Sequence, residues 1–246
     1  MTTTMDHVAT PAWEAPRADL RRTARTTGFL YLGLAVTGIV GSIAIRAQLF
    51  ADDDPEGTLA NLTDQEWLAR VGIALELGIV LFQALTAVWF YRLFRSVDVF
   101  AAGSLAALGM VNAVAILGSA ALLATALEVS GDASLAAPGG AAATVQLLYV
   151  VSGHLWGVAG TFFGLWLIPM GWLVTRSRWM PRLLGWLLVA GGVGYVVSAF
   201  VSYLAPGADL VAGLLTVPAT IGELWIIGYL IVFGIHDRTP APEDGS

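Results

Sequence analysis

Three ionisable side chains, Glu76, His154 and Glu223, fall inside long apolar stretches of this sequence. A charged group at the centre of a membrane helix costs roughly 2.5–3.5 kcal/mol on insertion scales, so each such residue is a candidate for function. A carboxyl and an imidazole shielded from water suit proton exchange or the binding of a small polar ligand. In that chemistry Glu76 and Glu223 accept a proton or contact a cation, His154 is the pH-sensitive partner, and Asn112 donates a hydrogen bond. Gln83 lies a heptad from Glu76 on nearly the same helix face. One histidine with two carboxyls is also the donor set of a metal-binding facial triad. Here the three come from separate segments, and the chain has no H-E-x-x-H. Ser152 and His154 are two residues apart, which on a helix turns their side chains about 200° from one another and spoils a nucleophile–base pair. No metal site and no cofactor are expected.

The segments that must position these residues are membrane spans. Crossing a hydrocarbon core of about 30 Å takes about 20 apolar residues in a helix. Six stretches qualify, roughly 27–45, 70–91, 99–127, 145–174, 183–204 and 210–235. A long acidic loop (46–67), a short basic one (92–98), a glycine-rich one (128–142), a basic one (176–182) and a tight turn (205–209) separate them. Thr63 precedes Glu66 by three residues, the spacing of a capping box that would open the second span. Residues 1–26 and 236–246 read as cytoplasmic tails, the latter disordered. Close-spaced glycines at 157–160, 164–171 and 191–194 let helix backbones approach in lipid. Pro169 and Pro218 fall within spans, where each frees a carbonyl one turn earlier.

Composition agrees with this reading. Of 246 residues, 57% are hydrophobic and 12% charged, with a mean hydropathy of +0.75. Soluble domains run nearer 25% charged, so a soluble enzyme, a disordered chain and a nucleic-acid binder are all disfavoured. The chain has no cysteine and therefore no disulfide or thiolate chemistry. All twelve basic residues are arginines. With the N-terminus inside, Arg17, Arg21, Arg22, Arg25, Arg92, Arg95, Arg176, Arg178, Arg182 and Arg238 share one side and only Arg46 and Arg70 the other. That bias predicts a cell-membrane protein with both termini cytoplasmic. Arg176, Arg178 and Arg182 would then contact anionic lipid headgroups.

Depth sharpens the candidates. At about 1.5 Å per residue from the cytoplasmic arginines, Glu76 and Glu223 lie about 22–24 Å up, Asn112 about 25 Å and His154 about 33 Å. Ser42 and Ser198 share the layer of the glutamates. Polar groups thus gather in the outer half, which predicts one outward-facing pocket for a small ligand or a proton, in a transporter-like or sensory protein. Two alternatives stay open. In one, the polar groups serve only to fix helix packing in a structural or accessory protein; in the other, His154 and the carboxyls serve a membrane-embedded enzyme.

Several motifs also resemble a known family. They are "ARTTGFLYL" (24–32), "EWLARVGIALEL" (66–77), "RSVD" (95–98), the run from "FFGLWLIPMG" through "SRWMPRLLG" to "GGVGYVV" (162–197), and "PATIGELWIIGYLI" (218–231). In this order they resemble the bacterial multi-pass proteins of domain-of-unknown-function family 4386, over about residues 20–236. The resemblance implies a six-helix membrane domain and directs attention to Glu76, His154, Arg182 and Glu223. Family members often carry a further histidine after "FFGL", where this chain has Trp166, so a mechanism needing two histidines on the fourth span does not transfer. No substrate follows from the resemblance. The fold class expected is all-α, a single bundle of six transmembrane helices.

Overall fold

In the computed structural model, residues 14–236 are described, with side chains for 19–41 and 44–236. Residues 1–13 and 237–246, most of the two expected tails, lie outside the described residues. Among the described residues the fold is all-helical. The elements are α1 (Glu14–Ile39), which continues through a π-helical stretch (Val40–Arg46) into α2 (Ala47–Leu49), then α3 (Pro55–Asp64), α4 (Glu66–Phe94) and α5 (Val99–Gly131). A short 3-10 turn (Ala133–Leu135) leads to α6 (Ala141–Ser177), α7 (Arg182–Leu204) and α8 (Asp209–Val232). Six of these, counting α1 with its continuation to Leu49, are long and apolar enough to cross a membrane.

Local sequence accounts for the boundaries. Asp98 caps α5 by accepting from the Ala101 amide at 2.9 Å, which satisfies one of the orphan N–H groups of a helix start. Asp54 does the same for α3, accepting from the Gly57 amide at 2.9 Å, with Pro55 at the first helical position. This cap overturns the expected capping box of Thr63 and Glu66. Because α3 has already begun at Pro55, Thr63 sits in its last turn and its hydroxyl donates back to the Leu59 carbonyl at 2.9 Å. Glu66 instead pairs with Arg70 one turn on, at 2.9 Å from its Nε. The acidic segment is likewise no open loop. Thr58 and Leu62 of α3 are fully buried, and Thr58 donates to Gln146 at the start of α6 at 2.7 Å. The helix lies as a lid over that end of the bundle. At the other end, α1 begins at Glu14, so part of the expected N-terminal tail is helical.

The six long helices pack in chain order, α1 on α4, α4 on α5, α5 on α6, α6 on α7 and α7 on α8, and α8 closes the ring against α1. Glycines set the spacing of these seams. A Cβ added to Gly164 would stand 2.6 Å from the Gly192 carbonyl, and one on Gly171 2.4 Å from the Gly185 carbonyl, so α6 and α7 touch backbone to backbone. Gly191 and Gly194 meet α8 as closely, at Ala219 and Leu215. With lipid on the outside there is no hydrophobic force between helices, and such close van der Waals approach supplies the cohesion. Near the arginine-rich end the ring is filled by Tyr31, Phe90, Phe94, Trp166 and Met170, all at most 2% exposed. Tyr31, Phe90 and Trp166 stand edge-to-face in all three pairings, with ring centroids 5.6–6.0 Å apart. That geometry adds about 0.5–1.5 kcal/mol per pair beyond area burial.

Candidate functional site

Above this aromatic plug the ring encloses a cavity of about 310 Å³ to which all six long helices contribute. Its polar lining is Glu223 and Thr220 of α8, Gln83 of α4, Asn112 of α5, Tyr195 of α7 and Tyr31 of α1. Helical periodicity places Thr220, Glu223, Leu224 and Ile227 on one face of α8, and Leu34, Ala35, Gly38 and Ile39 on one face of α1. The Tyr31 hydroxyl donates to Glu223 Oε1, joining α1 to α8 at the floor. Gln83 is fully buried, yet neither its amide nitrogen nor its amide oxygen has a hydrogen-bond partner. Buried polar groups are nearly always paired, and an amide left unpaired costs about 1–3 kcal/mol of desolvation. No arginine and no histidine lines the space.

A second cavity, of about 260 Å³, lies on the far side of Ile79 and Trp156, the two residues that line both. Glu76 belongs to this one. Its Oε1 accepts from the Trp156 indole at 3.1 Å and from the Ser119 hydroxyl at 3.1 Å. Ser119 shares a 2.8 Å bond with Ser152, and Ser152 accepts from Arg46 at 3.0 Å. A cation and a carboxyl are thereby linked through two hydroxyls across α4, α5, α6 and the π-helical end of α1. Arg46 also donates to the Tyr149 carbonyl at 2.7 Å. Its guanidinium carbon is 5.5 Å from the centroids of both Phe50 and Tyr149. Those two rings are stacked on each other at 5.6 Å. Glu76 Oε2 is buried without a partner.

Glu76, Asn112, His154 and Glu223 do not line a single cavity. Asn112, Gln83 and Glu223 share the central cavity, Glu76 sits behind the Ile79–Trp156 partition, and His154 lines neither. His154 is exposed on α6, where its Nδ1 lies 3.2 Å from the Tyr203 hydroxyl of α7. It misses the interior because it is two residues from Ser152, and Ser152 takes the inward face. A triad of His154 with the two glutamates is excluded by that placement. Among the described residues no group of three or more His, Asp or Glu is disposed to hold a metal ion. Ser198 lines neither cavity, and the Ser42 side chain lies outside those described. Arg176, Arg178 and Arg182 are exposed together at one end of the bundle, Arg176 over the Trp172 ring at 5.1 Å.

Two contributors escaped the sequence reading. Arg46 looked like a helix-edge residue in an outer loop, and only the π-helical stretch turns it inward onto α6. An arginine four residues before an aromatic was the sole hint. Trp156, a tryptophan within an apolar run, gives no polar signal in the sequence, yet its indole N–H is one of the two donors to Glu76. Residues 26–234 match the family model described as Domain of unknown function (DUF4386). No curated protein and no solved structure matches the chain.

Proposed function

The chain belongs to the DUF4386 family, and from that premise we propose that it is a non-catalytic membrane protein that binds a small ligand in its central cavity. The observation that carries this reading is the fully buried Gln83 amide, unpartnered in a cavity it shares with Glu223 and Asn112. A side chain kept only for packing would have no need of an amide there. A ligand that pairs with it offsets the desolvation cost and acquires specificity in doing so. Glu223, fixed by the Tyr31 hydroxyl, supplies the acceptor for a cationic or proton-donating group. Glu76 has a different task in this reading. Its chain of bonds to Arg46 supports a structural role, tying four helices together at the lidded end.

Gln83→Leu separates binding from packing. The variant is expected to melt at or above the wild-type temperature, because it deletes an unpaired buried amide worth about 1–3 kcal/mol. Native mass spectrometry of the protein in lipid nanodiscs is expected to find a bound small molecule in the wild type and none in Gln83→Leu or Glu223→Gln. A wild type without any retained molecule, together with a Gln83→Leu variant that melts lower, would assign the amide to packing.

The exposed Arg176, Arg178 and Arg182 support contacts with anionic headgroups and an inner-face location for that end. Ser134 lies in the exposed turn between α5 and α6, at the opposite end. Ser134→Cys on this cysteine-free chain should react with an impermeant maleimide on intact cells. Reaction only after permeabilisation would invert the orientation.

A further inference from the structure

We infer that the central cavity is loaded from the bilayer, through the gap between α1 and α8, with a single-chain amphiphile bearing an amine or hydroxyl headgroup. This rests on the ligand-binding reading above and adds the route and the chemical class. Five of the six seams of the ring are closed where the cavity lies. Gly33 of α1 abuts the Phe82 ring of α4, Gly109 abuts Ala87, and Gly118 abuts Leu155. Gly164 abuts the α7 backbone, and Gly191 and Gly194 abut that of α8. The seam of α1 with α8 is close at Gly28, below the cavity, where an added Cβ would come within 2.9 Å of Leu230 and Ile231.

Above the Tyr31–Glu223 bond the two helices part. The π-helical stretch Val40–Arg46 packs on α4, and Arg46 reaches to α6, drawing the chain away from α8. Insertions of this type re-aim a helix and recur at functional sites. The rim is consequently open. Ile39 and Leu224 line the cavity and are still 53% and 57% exposed, and Thr220 beside them is exposed as well.

The height of the rim decides what lies outside it. Thr220 is near the middle of α8, about 16 Å of rise from Asp209 and about 18 Å from Val232. Such a mouth faces hydrocarbon rather than water. A ligand entering there must dissolve in the membrane. Its headgroup meets Glu223, Gln83 and Asn112 with no cation among them, so an anionic head would bury a charge against a carboxyl without compensation. A donor-bearing head satisfies the Gln83 oxygen and Glu223 together. The volume, about 310 Å³, is at the low end for ligand pockets, which run to about 1,000 Å³. It accommodates a headgroup and the first carbons, and the remaining chain lies along the gap.

The test is photolabelling of the full-length protein in proteoliposomes with hexadecylamine carrying a mid-chain diazirine, followed by peptide mapping. Insertion is expected in residues 34–39 and 220–227, falling about tenfold in Thr220→Trp, which plugs the rim, and in Gln83→Leu/Glu223→Gln. Leu224→Trp is a second plug should the first fail to fold. If a diazirine-bearing butylamine labels the cavity equally well and the plugs have no effect, the pocket stands and entry from the bilayer is refuted. Equal labelling by the corresponding hexadecanoic acid would refute the headgroup class. Labelling of these residues no stronger than that of the lipid-facing Val111 and Val114, by either amine, would overturn the route and the ligand-binding reading together.

Discussion

Replacing Gly194 with valine is expected to abolish the folded protein. A Cβ at this position would stand 2.0 Å from the Leu215 carbonyl oxygen. The obstacle is helix backbone, which cannot swing aside as a side-chain tip can. Relief requires α7 and α8 to separate by more than an ångström, and the Gly191–Ala219 contact one turn away is strained with them. Overpacking typically costs about 1–3 kcal/mol and occasionally more; a backbone obstacle on a two-turn seam belongs at or beyond the top of that range. Size-exclusion profiles in detergent should show aggregate in place of the monodisperse peak. Gly213→Ala is the control on the same helix pair, since its added methyl meets nothing within 4 Å. Alanine for glycine inside a helix gains about 0.5–1 kcal/mol, so that variant should melt slightly higher. A stable, monodisperse Gly194→Val protein would mean that the α7–α8 contact is not what sets their spacing.

The second large effect is expected at Arg46. Arg46→Met keeps the length of the side chain and removes its charge, its bonds to Ser152 and the Tyr149 carbonyl, and its position over the Phe50 and Tyr149 rings. It also strips the Glu76 carboxyl of the cation at the far end of the two-serine chain. Breaking one side of a buried ionic arrangement costs about 3–5 kcal/mol, mostly because the other side stays behind. Because Arg46 is partly rather than fully buried, a loss of about 3 kcal/mol in a detergent unfolding titration is expected, at the lower end of that range. Adding Glu76→Gln should return part of it. A double-mutant cycle is expected to give a coupling of about 0.5–3 kcal/mol. Additivity within about 0.5 kcal/mol would show that the serines do not connect the two. The central cavity is beyond the Ile79–Trp156 partition, so ligand retention should survive Arg46→Met wherever the protein remains folded.

Much of the fold was legible in the chain because bilayer insertion is governed by quantities local to the sequence. Apolar length, the five breaks between spans and the identity of the buried polar residues are properties of single segments. Gln83, Asn112 and Glu223 were recognisable as candidates for that reason, since polarity inside an apolar run needs no tertiary information. Depth counting placed Glu76 and Glu223 in one layer, and that inference failed to make them neighbours. Rise along an axis says nothing about the direction in which a side chain points around the ring. The same holds for His154. Its height suited a pocket, but the inward face of α6 at that level belongs to Ser152.

The sequence by itself determined a six-span all-helical membrane protein, with arginines gathered at one end and a handful of polar groups that hydrocarbon cannot satisfy. Those follow from transfer free energies, which add along a chain. Only the tertiary structure decided that the polar groups divide into two sites separated by Ile79 and Trp156. It alone turned Arg46 into the interior partner of Glu76 and left one seam of the ring open. These depend on helix rotation, on a single π-helical insertion and on backbone contacts between glycines far apart in the chain, which are properties of packing between segments.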